Sequence, residues 1–124
     1  MQCPKCQSDM ETVNHQGIEV NRCTHCRGLW LDMMDRERLK VMDGAESIDN
    51  GDPAMGRRYN EVDRINCPVC RTRMIRMVDP QQPHIWIESC GTCHGVFFDA
   101  GEFTDYRSRT ITDIIRDLFT PERR

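Results

Sequence analysis

The strongest constraint in this sequence is the arrangement of its eight cysteines. All of them fall into Cys-x-x-Cys pairs, namely Cys3/Cys6, Cys23/Cys26, Cys67/Cys70 and Cys90/Cys93. Two intervening residues let both sulfur atoms of a pair face one point, which is the bite that a tetrahedral metal ion requires. The first two pairs are separated by 16 residues and the last two by 19. Both gaps lie in the range of about 15–20 residues that is typical of four-cysteine zinc sites.

An internal repeat assigns the pairs to two metal ions. Cys-Pro-Lys-Cys and the later Cys-Thr-His-Cys-Arg-Gly-Leu-Trp-Leu-Asp recur as Cys-Pro-Val-Cys and Cys-Gly-Thr-Cys-His-Gly-Val-Phe-Phe-Asp. Loop-closure entropy favours the local pairing by only about 0.8 kcal/mol, so the duplication decides the assignment. The sequence therefore predicts two structural Zn²⁺ ions per chain. Their ligands are Cys3, Cys6, Cys23 and Cys26 for one ion and Cys67, Cys70, Cys90 and Cys93 for the other.

Other uses of these cysteines are weaker hypotheses. The chain starts without an apolar export signal, so we expect reducing conditions, which disfavour disulfides. A thioredoxin-like Cys-x-x-Cys would need a βαβ context, which four duplicated pairs do not offer. Iron held by four thiolates is chemically feasible and stays an alternative to zinc. His25 and His94 occupy different offsets in the two repeats, so we predict that neither is a ligand.

Each repeat carries the pattern of a short β-sheet. Alternating apolar residues at 10–13 and 18–22 flank a turn at 14–17, and the same arrangement recurs at 74–78 and 84–88 around a Pro-rich turn at 79–83. Such patterns predict β-hairpins. The apolar segments 29–31 and 96–98 are predicted third strands. Gly28 and Gly95 precede these strands, and we expect both to occupy turns with positive φ.

A helix start follows the third strand in both repeats. Asp32 and Asp99 are predicted N-caps, and Asp35 and Glu102 stand three residues later, where acidic side chains favour the positive end of the helix dipole. Capping explains the spacing of these carboxylates, their repetition and their position after a strand. We therefore do not assign them a catalytic role.

These motifs together resemble those of the transcription factor IIB-type zinc ribbon proteins of bacteria and archaea. The resemblance covers residues 3 to about 39 and 67 to about 106, and Met34 departs from it where the second copy has Gly101. It implies a small, metal-stabilised, mainly β fold with short helices (α+β). Two tandem zinc ribbons are expected, each a three-stranded antiparallel sheet followed by a short helix. The resemblance is specific for the fold and implies little about the task.

The predicted organisation has four parts. The first repeat, residues 1–43, and the second repeat, residues 67–106, are the zinc ribbons with their helices. Residues 44–66 are polar and rich in helix breakers, and we predict a flexible linker there. In the segment 107–124, apolar residues from Ile111 to Phe119 recur at helical spacing before a basic end, which predicts an amphipathic helix. That helix could pack on a ribbon, self-associate into a homo-oligomer or enter a partner's groove.

Composition and charge bear on the function. The chain has 17 basic and 20 acidic residues, a formal charge of −3, and the two four-thiolate zinc sites bring the total to about −7. Proteins that grip phosphates usually present a positive face, so the leading hypothesis is a protein-interaction module with a link to transcription through the resemblance. No apolar run is long enough to cross a membrane, and we expect a cytoplasmic location.

Other functions are less favoured by the sequence. The second hypothesis is nucleic-acid binding through arginine side chains, with bases stacked on Trp30 and Trp86 if these are exposed. The arginines are Arg71, Arg73 and Arg76 near the first cysteine pair of the second repeat, Arg57 and Arg58 in the linker, and Arg107, Arg109, Arg123 and Arg124 in the tail. A redox- or zinc-responsive regulator is a minor alternative, because oxidised thiolates release zinc. We expect no enzymatic activity, since catalytic zinc keeps a water position that four cysteines would close.

Overall fold

The computed structural model describes the backbone of residues 1–62, 64–79 and 82–108, and the side chains of these residues except 78–79 and 82–86. The predicted amphipathic helix, with its stripe from Ile111 to Phe119, lies outside the described residues. So does any packing or self-association through it.

The first repeat forms a three-stranded antiparallel sheet, as predicted. Strand β1 (Met10–His15) pairs with β2 (Ile18–Cys23), and β2 pairs with β3 (Leu29–Leu31). Gln16 and Gly17 form the hairpin turn with φ of 52° and 91°. Positive φ at both central residues gives a turn whose twist matches that of the flanking strands.

The second repeat has the same order of strands. Strand β4 (Ile75–Asp79) pairs with β5 (Gln82–Ser89), and β5 pairs with β6 (Val96–Phe98). The turn is shorter than the predicted 79–83, because Asp79 pairs with Gln82 after a register shift at Val78/Asp79.

The two sheets are joined into one. Strand β3 pairs antiparallel with β6, with Leu29 opposite Phe98, Trp30 opposite Phe97 and Leu31 opposite Val96. Within the described residues the sheet has six strands in the order β1-β2-β3-β6-β5-β4. The third strands of both repeats are therefore its central pair, which explains why these short segments consist of apolar residues that are all buried.

Alternation along the central strands creates a hydrophobic cluster on each face of the sheet. One cluster contains Leu29, Leu31, Val96 and Phe98 and is covered by helical residues, namely Leu39, Ala45, Ile48, Phe103 and Tyr106. The other contains Trp30 and Phe97 together with buried cysteines of both predicted zinc sites, and Met55 and Tyr59 pack against it.

The helices surround this sheet. Helix α1 (Met33–Leu39) follows β3, a 3-10 helix spans Ala45–Ile48, and helix α2 spans Pro53–Tyr59; residues 102–108 are also helical. No helix among the described residues is long and apolar enough to cross a membrane.

The segment 44–66 differs from the flexible linker that the sequence predicts. It contains the 3-10 helix and α2, and its residues Ala45, Ile48 and Ile65 are buried. The backbone of Gly56 approaches Ala100 so closely that a Cβ on Gly56 would lie 2.0 Å from the Ala100 carbonyl oxygen. The few apolar residues of this polar segment are thus the ones that attach it to the sheet.

Candidate metal centres

The first predicted ligand set converges at the end of the β1–β2 hairpin. The sulfur atoms of Cys3, Cys6, Cys23 and Cys26 all lie within 4.8 Å of one another. Cys3 Sγ is 3.7 Å from Cys26 Sγ, and Cys6 Sγ is 3.4 Å from Cys23 Sγ. Four sulfurs bound tetrahedrally at about 2.3 Å from zinc lie about 3.8 Å apart, so the cluster has the dimensions of a zinc site. Cys6 is half-buried and the other three are buried.

The second set converges in the same way but closer to solvent. Cys67, Cys70, Cys90 and Cys93 also lie within 4.8 Å of one another, with 3.8 Å between the sulfurs of Cys67 and Cys93. Cys93 is exposed, whereas Cys67 and Cys90 are buried. Among the described residues, these two cysteine clusters are the groups of ligand side chains close enough to hold a metal ion. The chain therefore carries two four-cysteine sites and binds two Zn²⁺ ions.

Backbone amides prepare the sulfurs to carry negative charge. Cys23 Sγ accepts from the amides of His25 and Cys26 at 3.3 Å each, and Cys67 Sγ accepts from Cys70 at 3.2 Å. The pKa of the Cys90 thiol is lowered to about 6, chiefly because the Cys93 amide donates to its sulfur. Hydrogen bonds to a charged form stabilise that form. Burial opposes this effect and raises the pKa of Cys23 and Cys67 despite the amides that donate to them.

One backbone conformation recurs after every cysteine pair. Gln7, Arg27, Arg71 and His94 each follow the second cysteine of a pair, and their φ angles are 63–66°. Three of these residues close a turn by donating to the carbonyl of the first cysteine at 2.9 Å: Gln7 to Cys3, Arg71 to Cys67 and His94 to Cys90. Each pair thus lies in a tight turn that directs both sulfurs to one side.

The predicted positive φ of Gly28 and Gly95 is wrong, because the residues before them, Arg27 and His94, take that conformation. The glycines serve close packing instead. A Cβ on Gly28 would lie 2.2 Å from Cζ of Phe97, and one on Gly95 would lie 2.4 Å from Cζ2 of Trp30. Each glycine therefore makes room for the central aromatic residue of the other repeat.

A buried ionic cluster connects the two repeats, and sequence reasoning missed it. Lys5 comes from the first cysteine turn, and its side chain is 0% exposed. Its Nζ donates to Glu88 Oε1 at 2.7 Å, to the Tyr59 carbonyl at 2.9 Å and to Asp99 Oδ2 at 3.1 Å. The second repeat has Val69 at the position of Lys5, and the first has Asn21 at the position of Glu88. A charged residue at a position where the other repeat has an uncharged one was the sequence signal that could have indicated this ion pair.

The carboxylates of this cluster outnumber its ammonium group. Burial raises the pKa of Asp99 to about 6 against the opposing charge of Lys5. Burial also raises the pKa of Glu102 to about 8, with further contributions from the carboxylates of Asp99 and Glu88. One oxygen each of Glu88, Asp99 and Glu102 is shielded from solvent without a hydrogen-bond partner. The cluster therefore favours a protonated Glu102 near neutral pH.

Of the two predicted N-caps, only Asp32 caps through its side chain, by accepting from the Asp35 amide at 2.7 Å. The Asp99 carboxylate is engaged by Lys5 instead. Asp49, in the segment between the repeats, replaces it: its carboxylate accepts from the amides of Gly101 and Thr104 at 2.9 Å each. The start of the helix at 102–108 is thus capped from outside its own repeat.

The residues proposed for nucleic-acid contact occupy different environments. Trp30 is buried, and the side chain of Trp86 lies outside the described set. Arg76 donates to the Asn60 carbonyl at 2.7 Å, and Arg107 is buried and paired with Glu46 at 2.6 Å. Arg71 and Arg73 are exposed, as are Arg57 and Arg58. Arg109, Arg123 and Arg124 lie beyond the described range.

Comparison with known proteins agrees with the duplicated architecture. The model of a family described as "Transcription factor zinc-finger" matches residues 2–41 and again residues 66–109. The two matches together span more than half of the chain, and each contains one complete four-cysteine cluster. No curated protein matches the chain. No solved structure matches it either.

Proposed function

The chain belongs to the transcription factor zinc-finger family, and on that premise we propose that it is a protein-interaction adaptor whose two zinc ions are structural. The observation that supports this proposal is an apolar groove beside the second zinc site. The groove has a volume of about 510 Å³ and lies between α1 and the β4–β5 hairpin.

The groove exposes large apolar side chains to solvent. Met33 is 46% exposed, Ile75 58% and Met77 40%, and all three line the groove. Contiguous apolar surface of this kind is typical of an interaction site, whereas single exposed apolar residues are not. Methionine is unbranched and adaptable, so it suits a surface that receives another protein's side chains.

The proposed occupant is an amphipathic segment of a partner protein that carries apolar side chains beside acidic ones. Arg36 of α1 and Lys40, which directly follows this helix, line the groove. The acidic residue among the lining residues, Glu37, pairs with Lys40 at 2.7 Å. The rim is therefore weakly cationic. Acidic residues beside the partner's apolar residues would complement this charge, whereas basic residues there would be repelled by Arg36 and Lys40.

The proposal assigns no catalytic step, because four thiolates fill the coordination sphere of each zinc ion and leave no position for a reacting water. We further propose that the protein acts in the cytoplasm, and in transcription as the family description suggests. The use of all eight cysteines in zinc sites supports a reducing compartment, since such sites need cysteines that are not oxidised to disulfides.

A peptide-display selection tests the proposal. Zinc-loaded full-length protein is used to select from a library of random twelve-residue peptides, and we expect enriched peptides with spaced apolar residues and flanking acids. The double substitution Met33→Glu/Met77→Glu should weaken the binding of a selected peptide more than tenfold. Met34→Glu is the matched control, because Met34 is 63% exposed on the same helix but does not line the groove.

Zinc content and the unfolding midpoint are measured for each variant, so that a failure to fold is separated from a loss of contact. Peptides that bind the double variant as tightly as the unchanged protein would contradict the proposal. A selection that enriches no peptide family would contradict it as well.

A further inference from the structure

A second concave surface lies between the amino-terminal cysteine turns of the two repeats. This cleft has a volume of about 450 Å³. The first repeat contributes Gln2, Cys3, Pro4 and Gln7, and the second contributes the equivalent residues Asn66, Cys67, Pro68 and Arg71. Matched bridges close the two turns, Gln2 with Asp9 and Asn66 with Arg73. The cleft is therefore formed by the duplication itself, and it shares no lining residue with the apolar groove.

The charged side chains that line the cleft are both arginines. Arg64 and Arg71 are exposed, and no carboxylate lines the cleft among the described residues. Within the same part of the chain, neither arginine forms a salt bridge. In a protein with more acidic than basic residues, two arginines that line one cleft and lack a carboxylate partner among the described residues leave a locally positive surface.

The zinc sites do not use these arginines as counter-charges. The described hydrogen bonds to Cys3 Sγ and Cys67 Sγ from outside the clusters come from backbone amides, including Lys5 and Val69 at 3.4 Å each. No arginine side chain in the described hydrogen bonds donates to a sulfur of either site. The two guanidinium groups therefore remain available to an external anion.

We propose that this cleft binds the phosphodiester backbone of a single-stranded nucleic acid. Guanidinium groups match phosphate oxygens with paired donors. The amides of Gln2 and Asn66 both donate and accept, so they can meet base edges, which carry donors as well as acceptors, whereas a carboxylate would use only their donors. The proposed occupant is a single strand, because its unpaired base edges are free to meet the amides of the cleft, whereas the Watson–Crick edges of a duplex are already paired. Of the three arginines that the sequence predicts at a nucleic-acid contact beside the second repeat's first cysteine pair, Arg71 lines this cleft, whereas Arg76 is engaged with the Asn60 carbonyl.

The test is a salt series with labelled oligonucleotides. Zinc-loaded full-length protein is titrated into a fluorescent single-stranded 15-mer, and affinity is followed by anisotropy between about 20 and 200 mM salt. Each phosphate contact contributes about −0.7 to the slope of log affinity against log salt. The double substitution Arg64→Gln/Arg71→Gln should weaken binding about tenfold and reduce the slope's magnitude by about 1.4.

Arg57→Gln/Arg58→Gln is the matched control, because it removes the same charge from exposed arginines that do not line the cleft. Equal losses in both double variants would overturn the proposal, as would no binding by the unchanged protein at 20 mM salt. A polyglutamate peptide that competes as well as the oligonucleotide would reassign the cleft to acidic peptides. A duplex that binds as tightly as the single strand would place the contact outside it. Zinc content confirms that each variant is folded.

Discussion

At the scale of single residues, Gly28 and Gly95 show how duplication produces a mutual fit. Each lies beside a cysteine pair of its own repeat, and each is covered by an aromatic ring of the other. The requirement for glycine is therefore steric rather than conformational, because φ is positive at the preceding residue instead. Sequence alone cannot distinguish a glycine that is needed for positive φ from one that is needed to make room for a neighbouring ring.

Gly28→Ala and Gly95→Ala should each destabilise the zinc-loaded protein by about 1–3 kcal/mol, since the added methyl group must displace a packed ring. Gly91→Ala is the control, because its Cβ would meet only Ile75 Cδ1, at an ordinary 3.6 Å. The measurement is the free energy of unfolding in urea with zinc present. A Gly28→Ala protein within about 0.5 kcal/mol of the unchanged one would show that Phe97 moves aside without cost.

At the scale of the elements, the helix at 102–108 depends on groups from outside its repeat. Asp49 supplies its cap, and the expected cap, Asp99, is held by Lys5. Glu102 lies in the first turn, where the helix dipole favours a negative charge. Its pKa is nevertheless raised to about 8, because burial and the neighbouring carboxylates oppose ionisation more strongly.

Glu102 therefore makes stability depend on pH. Its folded pKa of about 8 exceeds the ordinary glutamate value of 4.5, so the folded state binds the proton more tightly. Its favourable contribution is complete below about pH 4.5 and is lost as pH rises toward 8. Glu102→Gln removes this dependence. Between pH 6 and 8, the free energy of unfolding of the variant should therefore rise relative to that of the unchanged protein by up to about 1.4 kcal/mol per pH unit.

Urea unfolding of both proteins across this range, at saturating zinc, measures the difference between them. Because zinc binding changes with pH equally in both proteins, its effect cancels in the comparison. Glu61→Gln, an exposed acid of the same type, serves as the control and should show a pH-independent difference. A constant difference for Glu102→Gln as well would mean that Glu102 is ionised in the folded state throughout.

At the scale of the whole molecule, the two repeats are not independent units within the described residues. They share the central β3–β6 pair, both hydrophobic clusters contain residues of each repeat, and Lys5 of the first lies buried against Glu88 and Asp99 of the second. Removing one partner of a buried ion pair costs about 3–5 kcal/mol, because the remaining charges lose their compensation. Loss of the first zinc ion should therefore affect both repeats.

Cys23→Ser should abolish zinc binding at the first site and, with it, dispersed amide NMR signals from both repeats. A structural zinc ion contributes on the order of 10 kcal/mol to folding, which exceeds the stability expected of the remaining core. His25→Ala is the control, since His25 lies beside the same site and should leave two zinc ions per chain. Native amide shifts for residues 66–108 in the Cys23→Ser protein would show that the second repeat folds without the first.

The features that could be predicted from the sequence are those that depend on short-range spacing. The cysteine pairs, the duplicated frame, the hairpins and the short third strands follow from patterns that span at most a few tens of residues, because turn geometry and strand alternation act locally. The contacts between the two repeats could not be predicted in this way. The Lys5–Glu88 pair joins residues 83 apart, and Asp49 caps a helix 52 residues beyond it. Such contacts have no periodic signature, since they arise where surfaces become adjacent after the central strands pair.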